Sequence, residues 1–117
     1  MFPEISFGGE TFLDMSSIVG PDVAVRRATI GLAIHHTAGR TILPNATVEG
    51  EVDHIKASNL QHLAQGFWCG FGYNAISFAS GRVYVVDACS GQRAHIAQRN
   101  HELAGLVMAG NFQDAEV

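Results

Sequence analysis

Two adjacent histidines close a short apolar run, Ile30-Gly31-Leu32-Ala33-Ile34-His35-His36, and Thr37-Ala38-Gly39 follows as a small-residue turn. Imidazole can bind metal, move protons or donate a hydrogen bond near neutral pH, so its surroundings decide which of these it does. An apolar run of this length ended by a turn signal reads as a strand over 29–36. Side chains alternate along a strand, so His35 and His36 face opposite ways. His36 shares its side with Ile30, Leu32 and Ile34, which reads as the packed side and makes it a structural histidine. His35 shares its side with Gly31 and Ala33, where there is room for a ligand. Tyr73 has a similar standing at the head of a second β-rich run, on the side of Ala75 and Ser77.

These residues need elements to position them. Residues 37–46, with Gly39, Pro44 and Asn45, read as a loop leaving the His35 end of the strand, a common place for ligand sites. From Thr47 the period becomes helical. Val48, Val52, Ile55, Asn59, His62 and Leu63 form one stripe, Thr47 is the N-cap, and Glu49 and Glu51 sit in the first turn. His54 falls off the stripe and reads as solvated. Phe67-Trp68-Cys69-Gly70-Phe71-Gly72 is either a lid of core aromatics or a wall beside a cleft. Residues 73–79 and 82–86 read as a hairpin about Ser80-Gly81, with Asn74 on the side of Ile76 and Phe78. A loop over 87–102 carries His95, Asn100 and His101, and 103–108 is a last strand. His95 reads equally as a loop histidine bonded to backbone or as a groove residue. Residues 1–28 are mixed, and Ile18, Val19 and Val23 to Val25 could pack on the sheet.

Composition narrows the class. The chain of 117 residues is 47% hydrophobic and 15% charged with a net charge of −4, which fits one globular domain with a core of its own. Arg26-Arg27 is the nearest approach to a basic cluster, so nucleic acid is not an expected partner. No run approaches the roughly 18 apolar residues of a membrane span. Met1-Phe2-Pro3-Glu4 does not open like a secretory leader. Cys69 and Cys89 lack metal-type spacing and read as small hydrophobes or free thiols.

Taken in order, His35-His36-Thr37-Ala38-Gly39, the helix with His62, Trp68, Gly72-Tyr73-Asn74, Gly81-Arg82-Val83-Tyr84, Ala94-His95 with Asn100, and Gly110-Asn111-Phe112 resemble a known family. It is that of the type 2 N-acetylmuramoyl-L-alanine amidases, which includes phage lysozyme-type amidases and peptidoglycan recognition proteins. The resemblance runs from about 29 to 112. It implies an α/β domain over 29–117, preceded by an N-terminal segment 1–28, with a central mixed sheet flanked by helices. It also implies a peptidoglycan groove holding Zn2+, with His35 as a metal ligand and Tyr73 as the catalytic hydroxyl. Thr37, Trp68, Asn74, His95 and Asn100 are then substrate-binding residues. The family's other two zinc ligands come from a C-terminal segment beyond Val117, so this part of the family domain is expected to be absent. Gly70 stands where the family commonly has an acidic residue, and Phe67 where it has glycine.

The implied chemistry suits these residue types. Zinc lowers the pKa of a bound water and polarises a carbonyl, and a tyrosine hydroxyl can donate to a developing oxyanion. The leading expectation is therefore a zinc-dependent hydrolase cutting between N-acetylmuramic acid and L-alanine, in the manner of a phage or prophage lysin made in the cytoplasm and acting on the wall. A catalytically inactive peptidoglycan-binding module is the alternative. A small α/β protein with structural histidines is the third.

Overall fold

A computed structural model of the chain describes residues 3–7, 10–20, 23–36, 43–86, 89, 91–95 and 100–110. Six strands and one helix follow in the order β1 (Glu4–Phe7), β2 (Glu10–Asp14), β3 (Gly31–His36), α1 (Val48–Ala64), β4 (Ala75–Ser77), β5 (Val83–Val85) and β6 (Leu103–Met108). The strands make one mixed sheet in the order β1-β2-β5-β4-β6-β3. β3 and β4 both run parallel to β6, β4 and β5 form the antiparallel hairpin, and β2 joins β5 in parallel. The N-terminal segment thus supplies two strands of the same sheet, Glu4–Phe7 and Glu10–Asp14. It also places Met15 and Val19 in the core.

Local chemistry explains the helix and the hairpin. Thr47 is in an extended conformation and its hydroxyl accepts from the Gly50 N–H at 3.0 Å, an N-cap. Gln65 ends the helix, and Gly66 follows with φ of +88°. At the hairpin, the Phe78 N–H donates to the Arg82 carbonyl at 3.0 Å and Gly81 takes φ of +93°, as a tight turn requires.

The core lies between α1 and one face of the sheet, where Ile55 meets Phe71, Ile76, Phe78, Tyr84 and Val107. The buried line of α1 is Glu51, Ile55 and Asn59. Leu63, predicted to pack, is exposed, while Val48, Val52 and His62 are half-buried. The helix is rotated from the expected stripe because Glu51 turns inward. Its Oε1 accepts from Arg82 Nε at 2.6 Å and from Tyr84 OH at 2.9 Å, and its Oε2 accepts from Ser80 Oγ at 2.5 Å. A buried carboxylate is tolerable because all of this polar capacity is met. His54, predicted to be solvated, is half-buried and sets its ring edge-on to Phe78 at 5.7 Å.

The alternation along β3 is as expected, but its sense is reversed. Leu32 and Ile34 are 58% and 63% exposed, and His36 is exposed with them. The covered side is the one with Gly31, Ala33 and His35. His35 pairs in register with Val107, which is buried in the core, so α1 packs on the small-residue side. On the opposite side of the sheet Leu32, Leu106, Ala75, Val83, Val85 and Phe12 line an apolar cleft of about 480 Å³. Cys69 and Cys89 are free thiols. Among the described residues no helix is long and apolar enough to cross a membrane.

Candidate functional site

At the end of β3 a row of rings gathers from four parts of the chain. His35 comes from β3, Tyr73 from the segment before β4, His62 from the last turn of α1, and His95 from the loop before β6. Ring centroids are 5.3 Å apart for His35 and Tyr73, 5.3 Å for His35 and His95, and 5.8 Å for His62 and Tyr73. His62 also lies against Phe67 and Phe71. All four are half-buried.

Tyr73 reaches His35 by a different route from the one its strand position predicts. β4 begins only at Ala75, so the alternation of that strand does not extend back to Tyr73. The ring packs with the core on the α1 side, against Phe71 and His62, rather than on the side of Ala75 and Ser77. Burial raises the pKa of its hydroxyl, which keeps it a proton donor.

The histidines are held by backbone. His62 Nδ1 accepts from the Gly72 N–H at 2.9 Å, which fixes the start of the Tyr73 segment to the helix. His95 puts Nε2 2.9 Å from the Leu103 carbonyl, and its own N–H donates to Asn100 Oδ1 at 3.1 Å. His35 Nε2 and His95 Nδ1 are 3.1 Å apart. Burial is the main cause lowering the pKa of all three, with His95 adding to the effect on His35.

The other residues expected in the site divide by exposure. Trp68 is 57% exposed. Asn74 is fully buried and serves the framework. Its Oδ1 accepts from the Gly105 N–H at 2.9 Å, and its Nδ2 donates to the Gly91 carbonyl at 2.8 Å. Asn100 is half-buried and accepts from the His95 N–H, as given above. Thr37 lies outside the described residues. Sequence reasoning passed over Arg26, which is buried beneath the site. It donates to Asn74 Oδ1 and to the Gly91, Leu103 and Cys89 carbonyls, and so ties three loops together. Its neighbour Arg27 disguised it as half of a charge pair.

Gly70, where the resemblance leads one to expect an acid, has no space for one. Its φ is +67°, and a Cβ there would stand 2.1 Å from the Gly20 carbonyl oxygen and 2.4 Å from Asn59 Oδ1.

As a zinc ligand His35 fits. It is half-buried, and one ring nitrogen is engaged by His95 while the other makes no hydrogen bond among the described residues. A protein zinc site takes three or four such ligands, and no group of three His, Cys, Asp or Glu gathers among the described residues. The described residues therefore assemble no metal site by themselves.

Comparison with solved structures defines the fold. The chain superposes on bumblebee peptidoglycan recognition protein SA with a TM-score of 0.73 at 20% identity, covering 88% of this chain and 62% of that one. Against Drosophila peptidoglycan recognition protein SD the TM-score is 0.63 at 26% identity, covering 80% and 53%. Against the endolysin N-acetylmuramoyl-L-alanine amidase LysCS of Clostridium intestinale it is 0.57 at 22% identity, covering 76% and 51%. The fold is that of the peptidoglycan recognition proteins and N-acetylmuramoyl-L-alanine amidases. The chain spans between half and two-thirds of the length of these structures. No protein-family model and no curated protein matches the chain.

Proposed function

We propose that the chain carries the peptidoglycan-binding groove of a zinc-dependent N-acetylmuramoyl-L-alanine amidase. The observation that supports this most is the approach of His35 and Tyr73, 5.3 Å apart at one end of a sheet of this fold. Zinc, when bound, would supply a water acidified to about neutral pH and a Lewis acid for the scissile carbonyl. The remaining roles belong to this chain. His35 would hold one corner of the metal site. Tyr73, protonated and half-buried, would donate to the carbonyl oxygen as negative charge grows on it. Trp68 would stack on the apolar face of a sugar ring or peptide side chain, and the His62–Gly72 bond would keep Tyr73 from turning away.

The test uses the full chain, purified peptidoglycan and added zinc, and reads the release of peptides that begin with L-alanine. Release that stops in His35→Ala is the expected result, with Tyr73→Phe lowering kcat by roughly 10²–10³ while KM changes little. Full activity in Tyr73→Phe would remove that hydroxyl from the mechanism. A recognition module is the second reading, in keeping with the peptidoglycan recognition proteins among the similar structures. Binding to peptidoglycan that depends on Trp68, without release of peptide at any zinc concentration, would decide for it.

A further inference from the structure

His95 is held more firmly than a residue that only lines a groove needs to be. Its backbone N–H is tied to Asn100, and its ring lies over Gly105, where a Cβ would come within 2.7 Å of its Cγ and 2.9 Å of its Nδ1. Its Nε2 faces the Leu103 carbonyl at 2.9 Å. A carbonyl only accepts, so Nε2 carries the proton, and in the neutral ring Nδ1 is left as an acceptor. That acceptor stands 3.1 Å from His35 Nε2, with the two rings edge to face at 82°. The proton between the two rings therefore belongs to His35 Nε2.

We infer that His95 is a positioning residue that fixes the tautomer and ring rotation of His35, leaving Nδ1 as the one lone pair the two histidines present. The relay runs from the Leu103 carbonyl through His95 Nε2–H and Nδ1 to His35 Nε2–H. A metal-binding histidine commonly gives its other N–H to a carbonyl or carboxylate, which fixes the ring and makes the ligating nitrogen more basic. Here a second histidine takes that place and is itself set by a backbone carbonyl. The tautomer stands on the hydrogen bonds alone; that Nδ1 serves zinc rests on the function proposed above.

The experiment is ¹⁵N NMR of histidine-labelled full chain at a pH above the histidine range, without metal, followed by titration with zinc alone. Wild type should show His35 and His95 both protonated at Nε2. His95→Leu should release His35 into a mixture of tautomers and weaken zinc binding about 10–100-fold. His95→Asn keeps an acceptor near the Nδ1 position and should restore both the tautomer and most of the affinity. Gly105→Ala, which pushes the His95 ring aside without removing it, should act like His95→Leu and guards against misfolding of either His95 variant. A wild-type His35 protonated at Nδ1, or a single His35 tautomer in His95→Leu, would overturn the inference. The expected tautomers in a chain that takes up no zinc would support the positioning role and count against the zinc reading.

Discussion

Replacing Glu51 should do more damage than replacing any other charged residue of α1. The carboxylate is fully buried and accepts from Tyr84 OH, Ser80 Oγ and Arg82 Nε. In Glu51→Ala the Arg82 head can turn to water, and Ser80, half-buried, can partly do so. Tyr84 cannot, because it is fully buried. A hydrogen bond to a charged group contributes about 1.5–3 kcal/mol, and a buried donor left without an acceptor costs about 1–3 kcal/mol. With the cavity added, Glu51→Ala should cost about 3–5 kcal/mol, the range found when one partner of a buried ion pair is removed. Glu51→Gln should cost less, about 1–2 kcal/mol. The amide oxygen can face Tyr84 and Arg82, while the NH2 group donates to Ser80 Oγ. Urea titration followed by tryptophan fluorescence measures both, and in a domain of this size each kcal/mol moves Tm by about 4 °C. A loss below about 1 kcal/mol in Glu51→Ala would refute the reasoning, since it would mean that Tyr84 finds another acceptor without cost.

Three further outcomes follow from the same geometry. The pKa values of His35, His62 and His95 are lowered by burial, so the unfolded chain takes up protons first as pH falls. Stability should be full above the ordinary histidine pKa of about 6.5 and decline below it, which melting curves from pH about 8 to 5 would show. The two tyrosines should both titrate above the ordinary value of about 10 when phenolate absorbance is followed, Tyr84 at about 12, and folded stability should fall as pH rises through that interval. Gly70→Ala should destabilise strongly, because a left-handed backbone and two contacts under 2.5 Å must both give way; unchanged denaturant midpoints would show that the Trp68–Phe71 turn is free to shift.

Much of this arrangement was legible in the sequence where periodicity was local. β6 falls on its expected residues because Leu103 to Met108 is a continuous apolar run, and α1 begins at its cap. β1 and β2 were not legible. Glu4-Ile5-Ser6-Phe7 alternates but is only four residues long, and Glu10-Thr11-Phe12-Leu13-Asp14 breaks the alternation. Both become strands by pairing with each other and, for β2, with β5, far along the chain. The meeting of His35 and Tyr73 was foreseen with half of its reasoning sound. His35 follows the alternation of β3, but Tyr73 stands before its strand begins and is placed by Phe71 and the His62–Gly72 bond. Which side of β3 is covered could not be read from side-chain size, since the bulkier side is the exposed one. Asn74 and Arg26 looked like surface chemistry in one dimension, and only the closing of three loops shows that they hold the framework.

The position of β3 at the end of the strand order bears on how the protein must be handled. Among the described residues it pairs on one side only, with β6, while its outward side chains are Leu32 and Ile34. A strand at the end of a sheet with a greasy flank is a template for another strand, and natural proteins blunt such edges with lysine or proline. No such gatekeeper stands between Gly31 and His36. Concentrated stocks should therefore self-associate through this edge on storage. Ile34→Lys, a change on the side away from α1 and the ring row, should extend shelf life while leaving the fold and any peptidoglycan binding as they were.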